Sequence, residues 1–149
     1  MIYDTLVNIY DTFFDTATQF IIFSHLYQDG SYIYFGLIFF LIPIAFSASF
    51  YFLYLWNPYS KWWHWLIVLL ICLITVFSVT VSVAFIEIFA SNNNALNNAL
   101  GDPELPHYQY ASVLPYFFGI LNALYGLIVF LLFSWIFKQY SKLHGHIPI

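Results

Sequence analysis

The stretch WHWLIVLLICLITVFSVTVSVAFIEIFA, residues 63–90, decides the fold. It carries one charge, Glu87, and otherwise only apolar, hydroxyl and ring side chains. About 20 apolar residues in a helix cross a hydrocarbon layer of ~30 Å, so this run is long enough to span and to tilt or protrude. Lipid offers no partner to a bare peptide group, which makes the segment helical. A β-barrel strand is excluded, because its apolar residues alternate with polar ones.

Two further runs of the same kind flank it. Residues 32–56 read as a first transmembrane helix, 63–90 as the second and 110–137 as the third. Composition agrees: 62% of the chain is hydrophobic and only 7% is charged. A water-soluble domain carries roughly a quarter charged residues. The expected fold class is therefore an all-α integral membrane protein with three transmembrane helices, preceded by an N-terminal amphipathic helix.

That preceding segment is residues 1–28. At 100° per residue Asp4, Thr5, Asn8, Asp11, Thr12, Asp15, Thr18 and Gln19 fill one side. Leu6, Ile9, Tyr10, Phe13, Phe14, Ala17 and Phe20 fill the other. The pattern is amphipathic, with an acidic polar face. Acid is the wrong sign for anionic lipid. The helix then either lies flat on the outer leaflet or stands with Asp4, Asn8, Asp11 and Asp15 toward water. The flat arrangement is preferred, since unpaired carboxylates within a membrane are costly.

The links differ in character. Residues 57–62 form a short hairpin bracketed by Trp56, Trp62, Trp63 and Trp65, at the depth where indoles favour the headgroup layer. Residues 91–109, SNNNALNNALGDPELPHYQ, read as a polar outer loop. Residues 138–149 form a tail. The only cations are Lys61, Lys138 and Lys142. With three spans they share one side, while Asp4, Asp11, Asp15, Asp29, Asp102 and Glu104 share the other. The positive-inside rule then predicts the C-terminus on the cytoplasmic or matrix side of a bacterial or organellar inner membrane, and the N-terminus outside. The opening Met1-Ile2-Tyr3-Asp4 lacks the basic start of a secretory signal and reads as a mature N-terminus.

The third span carries the most regular pattern. Ser112, Pro115, Gly119, Asn122 and Gly126 follow at spacings of three and four, a seam of small and polar residues on one face. Such seams let helix backbones approach closely, and an Asn can hydrogen-bond across the contact. The alternative is a pore wall, where small polar side chains face water. On the second span Thr75, Ser78 and Ser82 share one face, and Thr80, Glu87 and Ser91 nearly the opposite one. Membrane hydroxyls often bond back to their own helix, which weakens that signal. Glu87 is the only charge inside a span and lies near its outer end, close to water.

Catalytic and cofactor patterns do not emerge. No Gly-rich phosphate loop or serine-centred nucleophile motif is present, so the chain is not expected to be an enzyme. His25, His64, His107, His144 and His146 fall at edges, loops or tails rather than within a span, where a membrane haem is held. No cofactor and no metal is expected. The absence of Arg leaves no basic footprint for nucleic acid. Expected partners are the lipid bilayer and copies of the chain or other membrane subunits. Two functions follow. One is a homo-oligomeric pore or ion channel with a cation-favouring vestibule, lined by the seam or by Asp4, Asn8, Asp11, Asp15 and Glu87. The other is a non-catalytic structural subunit of a larger complex, such as a respiratory or secretion assembly. The acidic face tips the sequence reading toward the pore, because a ring of carboxylates concentrates cations.

Overall fold

A polar backbone in lipid must satisfy its own hydrogen bonds, and the three long apolar runs do so as helices. The computed structural model describes residues 6–8, 20–52, 62–90, 94–101 and 106–140. Among the described residues the helices are α1 Phe20–Gln28, α2 Ser31–Phe52, α3 Trp62–Phe89, α4 Asn94–Ala99 and α5 Pro106–Tyr140, with residues 6–8 also helical. Three are long and apolar enough to cross a membrane: Ser31–Phe52, Trp62–Phe89 and Tyr108–Tyr140. At 1.5 Å per residue α3 extends about 42 Å and α5 about 52 Å, well beyond the ~30 Å hydrocarbon layer.

The three spans pack on one another, and two clusters of buried side chains divide the core by depth. The outer one, named only for the end of the bundle where α2 begins and α3 finishes, joins Ile22, Phe23 and Leu26 of α1 to Tyr32 and Phe35 of α2, Ala84 and Ile88 of α3, and Leu114 and Phe118 of α5. The Phe35 and Phe118 rings stack at 4.8 Å, with Tyr32 edge-on to both. The inner cluster gathers Phe50, Tyr51, Trp65, Leu69, Cys72, Val76 and Phe130. The outward surface of the bundle is apolar, from Leu41 on α2 to Leu70, Ile74 and Ile86 on α3 and Leu124, Ile128 and Leu132 on α5. That is the arrangement lipid requires.

Between α1 and α2 the chain reverses at Gly30, whose φ of 73° suits a residue without a Cβ. Its amide donates to the Tyr27 carbonyl at 3.3 Å, while Asp29 N–H donates to the His25 carbonyl at 3.0 Å. The break lays α1 against the outer ends of α3 and α4 instead of continuing it into the span.

Three features bear on the sequence reading. The 91–109 link is not simply a wet loop: Asn94–Ala99 is helical, and α5 begins at Pro106. Leu96 and Leu100, one helical turn apart, are buried in the outer cluster and hold the link against the bundle. Second, Trp65 is turned into the bundle and not outward with its neighbours. Trp62 and Trp63 are 55% and 44% exposed, whereas Trp65 is 5% exposed and faces the inner cluster. Third, of the amphipathic segment 1–28, residues 6–8 and 20–28 are described and helical. Val7 is buried, Asn8 is exposed, and Leu6 sits over Gly36 in the body of α2. Asp4, Asp11 and Asp15 lie outside the described residues.

Candidate functional site: polar contacts between the helices

A polar side chain inside a membrane bundle must find a partner, so the interhelical hydrogen bonds mark where the sequence departs from simple apolar packing. They fall at three depths.

Near mid-bundle, Asn122 of α5 is fully buried. Its Nδ2 donates to the Phe35 carbonyl of α2 at 3.1 Å and to Thr80 Oγ1 of α3 at 3.0 Å. A carbonyl can only accept, which fixes the nitrogen of the amide toward α2. One residue thereby joins all three spans. The backbones around it are close. A Cβ built on Gly119 would lie 2.7 Å from Val81 Cγ2 and 2.9 Å from Phe77 Cδ2, both on α3. One built on Gly126 would lie 3.4 Å from Pro43 Cγ on α2 and 3.5 Å from Val76 Cγ2 on α3.

At the outer end, Glu87 engages two elements. Its carboxylate accepts from Ser31 Oγ at 2.6 Å, and its backbone carbonyl accepts from His25 Nε2 at 3.1 Å. His25 is 3% exposed. Because the Glu87 carbonyl has no proton to give, the imidazole hydrogen on Nε2 is the donor. Nδ1 faces Asp29 Oδ2 at 3.4 Å without hydrogen-bond geometry. Ser31 is the first residue of α2, so the carboxylate also meets the positive end of that helix.

At the inner end, Trp65 Nε1 donates to Ser134 Oγ at 3.3 Å, joining α3 to α5. The Tyr51 hydroxyl is buried on the same side, within electrostatic reach of Ser134 but without hydrogen-bond geometry. The Trp65 ring lies against Phe130 at 5.7 Å.

The residues singled out from the sequence are distributed as follows. Pro115, Gly119, Asn122 and Gly126 are buried, and the Gly119, Asn122 and Gly126 positions meet α2 and α3 of the same chain. Ser112 is half-buried and its hydroxyl bonds to the Gln109 carbonyl of its own helix at 2.8 Å. Thr75 and Ser82 likewise bond back to Ile71 and Ser78 at 2.8 and 2.9 Å, on the outward side of α3. Glu87 is half-buried and engaged by Ser31, not presented alone to a water path. His25 lies outside the three spans, and its side chain is a buried contact between α1 and α3. The signal available for it was local: His25 and Asp29 are four apart, immediately before a helix-ending glycine. Among the described residues no three His, Cys, Asp or Glu side chains converge as a metal site.

No protein family, curated protein or solved structure matches the chain.

Proposed function

We propose that this chain is a non-catalytic structural subunit of a larger membrane assembly. One observation supports the reading above the others: the seam on α5 is occupied within the protomer. Asn122 holds Phe35 and Thr80, and Gly119 lies against Phe77 and Val81. The most regular polar surface in the sequence is then not left to line a water path between copies. What the bundle presents outward is a largely apolar perimeter suited to lipid and to other membrane helices. In this reading residues 1–28 form one amphipathic helix with Asp4, Asn8, Asp11 and Asp15 on its outer, acidic side, and the lysine-bearing ends of the spans face the cytoplasm or matrix.

A homo-oligomeric pore stays as the second reading on a different observation. Ser78 and Ser82 are exposed on α3, with Thr75 half-exposed beside them. Copies that met along this stripe would place hydroxyls, rather than the α5 seam, around a central path. The test is the mass and subunit content of the particle extracted in mild detergent. Co-purification of different membrane chains at fixed stoichiometry supports the structural subunit. A ring of one chain that passes current in a planar bilayer overturns it.

A further inference from the structure

Along their lipid-facing edge α2 and α3 part to leave a groove of about 390 Å³. Leu37 and Ile38 form one wall, Val79 and Val83 the other, and Tyr34 and Glu87 close the outer end. We infer that this groove holds one acyl chain of a phospholipid whose headgroup is an ammonium, seated at the Glu87 carboxylate.

The groove has the form of a hydrocarbon chain. Val79 to Glu87 spans eight residues, or roughly 12 Å of helix at 1.5 Å each. Apart from Tyr34 and Glu87 its lining is aliphatic, so an extended acyl chain can lie along it with the polar group at one end only.

Charge selects the headgroup. Ser31 Oγ holds Glu87 Oε2 at 2.6 Å, which fixes the carboxylate at the mouth. Asp29, with its side chain 53% exposed, adds a second carboxylate at the same end of the bundle. The described lysine, Lys138, lies near the opposite end of α5. A primary ammonium offers three N–H donors to the two carboxylates, while a net anionic headgroup brings like charge to them. Tyr34, exposed at the rim, supplies a ring with one apolar and one wet edge at headgroup depth. The molecule also carries its own comparison. Across α3 a second groove of about 330 Å³ is lined by apolar residues alone, among them Leu73, Phe77, Ile120 and Leu124. It has nothing with which to distinguish headgroups.

Native mass spectrometry of the full-length chain, exchanged into detergent with equal amounts of dioleoyl phosphatidylethanolamine and dioleoyl phosphatidylglycerol, tests this. The ethanolamine lipid is expected to be retained about fivefold over the glycerol lipid, as one partly exposed ion pair allows. Glu87→Gln removes the charge and is expected to bring the ratio near one. Leu37→Trp fills the groove without touching the carboxylate and is expected to lower the ethanolamine adduct alone, which keeps the test decisive if Glu87→Gln does not survive purification. Equal retention of both lipids by the wild type overturns the inference. So does a preference that persists in Glu87→Gln or Leu37→Trp, or retention of neither lipid with a basic partner helix co-purifying instead.

Discussion

The hydroxyl of Ser31 donates to Glu87 Oε2 at 2.6 Å, tying the first residue of α2 to the last turn of α3 across 56 positions of sequence. The only acid among the described residues of the spans therefore sits where a carboxylate is stabilised twice, by a hydroxyl donor and by the positive end of α2. The same residue's carbonyl receives His25. Glu87 joins α1, α2 and α3 at the end of the bundle where α2 begins, which accounts for an acid in a span without assigning it to an ion path.

This contact predicts non-additivity. Ser31→Ala and Glu87→Gln should each cost about 1 kcal/mol, below the range for fully buried charge-assisted bonds because Glu87 is half-buried. Since Ser31→Ala removes the donor and Glu87→Gln removes the charge that strengthens the same bond, the double variant should cost less than the sum of the two singles. Equilibrium unfolding in mixed dodecyl sulfate micelles reads all three. Strict additivity shows that the two residues act independently.

A second cycle concerns the middle of the bundle. Interhelical hydrogen bonds in membranes average about 0.6 kcal/mol and reach about 1.7. Asn122→Leu keeps the volume but removes the donor to both Phe35 and Thr80. It is expected at the upper end of that range, with Thr80→Val near the mean because Asn122 then retains Phe35. A coupling of about 0.6 kcal/mol between them is the expected outcome, and zero coupling means that the Thr80 contact contributes nothing to stability.

Legibility followed from how each signal is written in the chain. The three spans were plain because a span is a local property: hydrophobic length alone specifies it. The α5 seam was also plain as a face, since spacings of three and four bring Gly119, Asn122 and Gly126 onto one side. Its partner was not, because periodicity identifies the side of a helix but not the chain that covers it. The buried stripe of α3, Trp65, Leu69, Cys72, Val76, Thr80, Ala84 and Ile88, has the same spacing. It went unseen because a helix apolar all round offers no contrast between core and lipid. The burial of His25 went unseen for the opposite reason: its partner lies 62 residues away, and the local His25–Asp29 spacing does not point to it. In the Asn-rich link, polar composition outweighed the four-residue spacing of Leu96 and Leu100.

The two seam glycines should respond differently to a single methyl group. At Gly119 a Cβ would come within 2.7 Å of the β-branched Val81 and 2.9 Å of the Phe77 ring. Val81 is stiff about χ1 and gives little. At Gly126 the nearest atom is 3.4 Å away, ordinary van der Waals distance. Gly119→Ala is expected to cost about 1–3 kcal/mol, as overpacking does, and Gly126→Ala less than about 1. Because both faces pack within the protomer, the loss should appear in thermal unfolding of the isolated chain as well as in particle size. Equal costs at both sites mean that the α3–α5 approach relaxes freely.

The topology can be read with three introduced thiols. Gln28 and Asn98 are exposed at the end of the bundle where α2 begins and α3 finishes, and Tyr140 is exposed at the far end of α5. Cys72 is buried within α3, so Cys72→Ala gives a background without it. If each long helix crosses once, Gln28→Cys and Asn98→Cys lie on one side and Tyr140→Cys on the other. The lysines choose the sides: Lys138 accompanies Tyr140, and positive charge is retained in the cytoplasm or matrix. An impermeant maleimide applied to intact cells or organelles should therefore modify Gln28→Cys and Asn98→Cys, and reach Tyr140→Cys only after permeabilisation. Labelling of Tyr140→Cys alone in intact samples keeps the three crossings but inverts the protein, so that lysine placement fails as the guide. Labelling of all three from one side removes a crossing, and with it the alignment that sets Glu87 and the mouth of the α2–α3 groove at the outer headgroups.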